Sequence, residues 1–185
     1  NRLCSRHDTY GRLLPLPRGI RAKKMINIEV ERDTDLNADI VWEEMKHFDR
    51  VLNWVPGGDK STISIKGEGV GMIRDINLIT QGYVQHELIA FDNEKRMFSY
   101  KLTDGKPVGM EDYTVVATVT PIDQGNCRIR WAGKMKSDDR VDENEVGIAL
   151  KTALSNMVTG TIALIKGEKP IFVEQPLEDW QYKNS

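Results

Sequence analysis

The stretch from 83 to 102, YVQHELIAFDNEKRMFSYKL, decides the fold. Two runs rich in apolar, aromatic and β-branched residues flank a polar Asp92-Asn93 turn, and they read as two strands. A connection this short joins antiparallel neighbours, because parallel strands need a crossover of about a dozen residues or more. One acid is out of place. Glu87 stands mid-strand among Val84, Leu88, Ile89 and Phe91. Its carboxylate faces water, a cross-strand partner or something the protein binds.

The same punctuation extends outward in both directions. KSTISIK from 60, GVGMIRDINLI from 69, EDYTVVATVTP from 111 and NCRIRWAGKM from 126 read as further strands. Gly67 and Gly69, Gln81-Gly82, Asp104-Gly105 and Asp123 to Gly125 separate them. Upstream, INIEVERDT alternates with period two and reads as a strand. NADIVWEEMKHF follows, with Ile40, Val41, Met45 and Phe48 at helical spacing and Asn37 as N-cap. A short helical turn, DRVLNW, stops at Pro56-Gly57-Gly58. Downstream, residues 143–166 carry Val146, Leu150, Leu154, Met157, Val158, Thr161, Ile162 and Ile165 on one stripe, and Gly167 suits a helix end.

This order predicts an α+β fold. A seven-stranded antiparallel sheet curls around one long C-terminal helix, with two short helices after the first strand. Space between a concave sheet and its helix is where small-molecule pockets form.

Composition fits this picture. The chain has 185 residues, 39% of them hydrophobic and 29% charged, which suits one globular domain. The net charge of −2 gives no pull toward nucleic acid. No apolar run approaches the ~18 residues of a membrane span. With only Cys4 and Cys127, no disulfide framework is implied, and a cytoplasmic location is expected. Charge is uneven: residues 1–24 carry +6 and residues 25–185 carry −8. A patterned strand begins at Met25. Residues 1–24 are therefore expected to be an artificial or over-extended leader, the alternative being an Arg-rich transit peptide. The domain is expected over 25–167, with a tail over 168–185.

The chain resembles the START/Bet v 1-like helix-grip superfamily (SRPBCC), which includes polyketide cyclase/dehydrase-like proteins. NADIVWEEMKHFDRVLNWVP resembles its opening helix pair, and GVGMIRD its glycine–x–x–arginine strand. HELIAFDNEKRMFSYKL and EDYTVVATVTP resemble its glutamate-bearing and tyrosine-bearing strands. The resemblance implies an internal cavity for a hydrophobic or amphipathic molecule, with Glu87 pointing into it.

Candidate ligand-binding residues are Lys60, Arg74, Glu87, Ile89, Tyr100, Tyr113, Val115, Trp131, Leu154, Met157, Val158 and Thr161. Lys60 sits where abscisic acid receptors of the superfamily carry a ligand-pairing lysine, and Arg74 closes the Gly71 strand motif. Tyr113 shares parity with Val115, Ala117 and Val119, and Trp131 with Cys127 and Ile129. Tyrosine and tryptophan offer an apolar body with a polar tip. Ordinary core packing would explain each of these equally simply.

His7, His47 and His86 lack metal-ligand spacing, and no nucleophile elbow, phosphate loop or dinucleotide fingerprint is present. No metal and no cofactor is expected. The receptors' gate and latch motifs are replaced by TQGYV and DGKPVGM. Binding or transport of a small hydrophobic molecule is the leading expectation, and a homodimer is compatible with it. The alternative is a cyclase or dehydratase in which Glu87, with Tyr113 or Arg74, moves protons.

Overall fold

A computed structural model describes residues 24–174. The expectation for 1–24 lies outside the described residues, Lys24 excepted. Strand β1 spans Ile26–Thr34 and helix α1 spans Ala38–Met45. Two 3₁₀ turns follow, at Phe48–Asn53 and Gly58–Lys60. Then come β2 (Thr62–Lys66), β3 (Ile73–Leu78), β4 (Gly82–Asp92) and β5 (Met97–Gly105). A 3₁₀ turn at Pro107–Gly109 leads to β6 (Met110–Pro121), β7 (Cys127–Ser137) and helix α2 (Glu143–Lys166).

The seven strands form one antiparallel sheet in the order β1-β7-β6-β5-β4-β3-β2. Hairpins join β2 through β7 in sequence. The chain leaves β1 at one edge and crosses to β2 at the other by way of α1 and the two 3₁₀ turns.

Both helices begin where their sequence says they should. The Asn37 side chain accepts from Asp39 N–H, and the Asp142 side chain accepts from Asn144 and Glu145 N–H. Gly167, at φ 68°, ends α2 in the left-handed conformation that glycine adopts without a Cβ penalty. By length and composition α2 is apolar enough to cross a membrane. Its hydropathy has another use here: Val146, Ala149, Leu150, Leu154 and Val158 are buried against the rest of the domain.

Alternation along the strands sets the inner face. Val84, His86 and Leu88 of β4 are buried, as are Phe98 and Tyr100 of β5. Tyr113, Val115, Ala117 and Val119 of β6 continue that face, and Cys127, Ile129 and Trp131 of β7 complete it. The outer face is charged: Arg128 pairs with Asp33 at 2.7 Å and Arg130 with Glu29 at 2.6 Å. Bulges interrupt β5 at Thr103, opposite Gln85/His86, β4 at Leu88/Ala90, and β6 between Glu111 and Thr114. Each bends its strand and helps curl the sheet.

α2 packs on β1, β7, α1 and the Phe48–Asn53 turn. Glycines let it come close. A Cβ on Gly133 of β7 would stand 3.0 Å from Leu150 Cδ2, and one on Gly160 of α2 would stand 2.0 Å from the Trp54 carbonyl oxygen. In an open helix, glycine to alanine gains ~1 kcal/mol of propensity. Here the backbone contact reverses the sign. Gly160→Ala is expected to destabilise the protein by about 2 kcal/mol or more, in the manner of an overpacked core. Urea denaturation measures this; an unchanged midpoint would contradict the close approach.

Candidate functional site

Away from the β1–β7 side, α2 stands off the sheet and leaves a cavity of about 250 Å³. At ~30 Å³ per water in the liquid, that is room for about eight waters. Val51, Val55 and Pro56 close one side, and Arg74, Ile76 and Leu78 of β3 form another. Val84 and His86 of β4, Tyr100 of β5 and Met110 and Tyr113 of β6 line the sheet wall. Leu150, Ala153, Leu154, Asn156 and Met157 of α2 lie opposite. A more open groove of about 750 Å³ runs past the ends of β1 and α2, but its charges are largely paired: Asp33 with Arg128, Asp35 with Lys166.

The cavity is largely apolar; besides Thr80, Gln81, Asn156 and Glu174, its polar groups form one chain on the sheet wall. Arg74 is 1% exposed. Its guanidinium stacks 3.8 Å from the Phe48 ring centroid and 4.7 Å from that of Tyr100. One amino group donates to the Phe48 carbonyl at 2.7 Å, and Nε–H donates to His86 Nδ1 at 3.1 Å. His86 Nε2 then meets the Tyr113 hydroxyl. Among the described residues no carboxylate pairs with Arg74. Burial pulls its pKa down to about 10, so it remains a cation at neutral pH.

Arginine sets the direction of this chain. Its N–H can only donate, so Nδ1 of His86 must be the bare nitrogen. The single imidazole proton then sits on Nε2 and is donated to Tyr113 Oη. Burial first, and the adjacent Arg74 charge second, hold the His86 pKa well below its ordinary value. Burial pushes the Tyr113 pKa well above the usual phenol range, and Tyr100 is raised for the same reason. At neutral pH the chain consists of a cation and two neutral rings.

The C-terminal segment supplies the remaining wall. Phe172, Val173 and Glu174 border the cavity. Asn156 of α2, 3% exposed, holds them there by a paired contact. Its amide donates to the Val173 carbonyl at 2.8 Å and accepts from Val173 N–H at 2.9 Å.

Of the residues expected to line a site, Arg74, Tyr100, Tyr113, Leu154 and Met157 lie on the cavity wall. The others do not. Glu87 points to the outer face and pairs with Lys101, directly across on β5, at 2.9 Å. Ile89 is the extra residue of the Leu88/Ala90 bulge and also leaves the wall. The inward expectation for Glu87 rests on the family resemblance; along β4 it alternates with buried His86 and Leu88 and so falls on the outer face. Lys60 lies exposed in a 3₁₀ turn, because β2 starts only at Thr62. Val115 is wholly buried in the core, as is Trp131, edge-on to Phe98 at 5.6 Å. The indole N–H of Trp131 is buried without a partner. Val158 and Thr161 are buried beyond the cavity end of α2, where Thr161 donates back to the Met157 carbonyl at 2.8 Å. His86 lies on the cavity wall although it is absent from the residues expected there. Its signal was parity: it alternates with Val84 and Leu88, both apolar.

Residues 25–166 match the family described as "Polyketide cyclase / dehydrase and lipid transport". The chain belongs to the polyketide cyclase/dehydrase and lipid transport family. No curated protein matches the sequence. Among solved structures, an uncharacterised Bacillus thuringiensis protein superposes with TM-score 0.65 at 15% identity, covering 76% of this chain and 99% of that one. Norcoclaurine synthase from Thalictrum flavum gives TM-score 0.62 at 21% identity, covering 86% and 99%. XoxI from Bacillus cereus gives 0.62 at 17%, covering 76% and 94%. These likenesses place the family member in the Bet v 1-like fold.

The buried neutral histidine ties stability to pH. When unfolded, His86 takes up a proton below its ordinary pKa of about 6.5. In the folded protein it does not. The unfolded state then binds more protons, so stability is complete above about pH 6.5 and declines as pH falls, at up to ~1.4 kcal/mol per pH unit. Asp75, whose pKa hydrogen bonds from Gln85 and Lys66 lower to about 2, adds its own loss only below about pH 4. Urea unfolding at pH 7.5, 6 and 5 should show the decline. His86→Gln keeps an acceptor for Arg74 and a donor for Tyr113, and should flatten it. An equal slope in the variant would rule out a neutral, buried His86.

Proposed function

We propose that the protein binds or carries a small hydrophobic or amphipathic molecule in the cavity between α2 and the β3–β6 part of the sheet. One observation carries this reading: a largely apolar cavity whose sheet wall carries the hydrogen-bonded Arg74–His86–Tyr113 chain. Apolar lining supplies affinity, and a few fixed polar groups supply orientation. Family membership supports the same reading, since its description includes lipid transport. The norcoclaurine synthase neighbour has been solved with dopamine and hydroxybenzaldehyde, which shows that in that protein the fold admits compact aromatic molecules.

The second reading is a cyclase or dehydratase acting in the same cavity, favoured by the buried His86–Tyr113 contact. Three features weigh against it. Proton transfer needs a group poised near the working pH, whereas His86 and Tyr113 are both shifted away from it, in opposite directions. A cavity of about 250 Å³ also leaves little room to fold an extended polyketide chain. Glu87, turned outward onto Lys101, is not placed to move a proton there. The binding reading requires no metal, cofactor or partner chain. A cytoplasmic setting suits it, where the buried thiol of Cys127 stays reduced.

Native mass spectrometry of protein purified from its own cell should show a retained small molecule. Met157→Trp, which adds bulk to the cavity wall, should remove that mass while the protein stays folded. If no mass is retained, and toluene does not bind to the wild type, the carrier reading fails. Conversion of a polyketide-like substrate to product that is lost in Tyr113→Phe would replace it with the cyclase.

A further inference from the structure

The polar chain at the wall has a fixed direction, and that direction selects the guest. Arg74 can only donate, so His86 must accept at Nδ1 and donate at Nε2. A neutral imidazole has no second proton, and a second bare nitrogen would require imidazolate. The Tyr113 oxygen is therefore occupied as an acceptor. Its own hydroxyl proton cannot go back to His86, and among the described residues it meets no other acceptor. Tyr113 borders the cavity, so the cavity is where that proton is offered.

Charge favours the same kind of guest. Arg74 brings a positive charge to the wall without a paired carboxylate among the described residues. A guest with a negative or partly negative oxygen lowers the cost of that burial, and a cationic guest raises it. Glu174 at the border is exposed, where solvent screens it.

We infer that the cavity takes a compact apolar molecule bearing one hydrogen-bond-accepting oxygen, a carbonyl or an oxyanion, seated on the Tyr113 hydroxyl, and that it disfavours molecules whose polar group is a cationic donor. The inference rests on the cavity being the binding site, and it names the chemical class of what binds there. His86 acts as a positioning residue, because it orients Tyr113 and does not itself offer a group to the guest.

Three probes of similar shape test it: acetophenone, ethylbenzene and 1-phenylethylamine, titrated calorimetrically into the full chain at pH 7.5. Acetophenone should bind at least tenfold tighter than ethylbenzene, and the amine weakest. The carbonyl stretch of bound acetophenone should move to lower frequency. In Tyr113→Phe, acetophenone should fall to the affinity of ethylbenzene, whose own binding should hardly change. His86→Gln, which preserves the donor order, should retain the preference. Equal binding of acetophenone and ethylbenzene by the wild type would overturn the inference while leaving the binding reading intact. If none of the three binds, both fall. The wild-type comparison needs no variant, so a misfolded Tyr113→Phe would not leave the question open.

Discussion

Everything in this fold depends on how α2 is seated. Gly133 under Leu150 and Gly160 against Trp54 draw the helix toward the β1–β7 side of the sheet and the Phe48–Asn53 turn. An antiparallel sheet that curls through three bulges cannot follow a straight helix along its whole width. The β3–β6 part therefore faces a gap. Side chains that would meet α2 in a solid core instead border a void: Ile76, Val84 and Tyr100 on one side, Leu154 and Met157 on the other. The cavity results from where the helix is held close and where it is not.

Much of this was legible in the residues. Short polar separators fixed antiparallel neighbours, and Asn37 and Gly167 marked helix limits where the structure has them. Strand parity gave Tyr113 its inward direction, because β6 is regular beyond Tyr113. For Glu87 the inward expectation rested on the family resemblance, whereas its alternation with buried Val84, His86 and Leu88 puts it on the outer face. Val158 and Thr161 failed for another reason. A helical apolar stripe looks the same whether it packs against backbone or borders a space, and only the seating of Gly160 divides the two. Trp54 is wholly buried, with its indole donating to Glu44 at 2.8 Å.

The buried polar chain shows why His86 and Arg74 belong together. An unpaired guanidinium inside a protein is costly. Two aromatic faces, a backbone carbonyl and a bare imidazole nitrogen share that cost here without a carboxylate. A carboxylate in their place would neutralise the wall and leave Tyr113 free to donate either way. Using a neutral acceptor keeps the positive potential and fixes the single imidazole proton on Nε2, facing Tyr113.

The clamp between Asn156 and Val173 has a wider bearing. The family match ends at residue 166, yet Phe172, Val173 and Glu174 complete the enclosure. The cavity wall thus has two sources: the sheet supplies the polar chain, and the strip after α2 closes part of the remaining space. The strip is held through main-chain atoms of Val173, so the hold does not depend on its side chains. Exchanging Phe172 or Val173 would reshape the space while the backbone clamp to Asn156 stays in place.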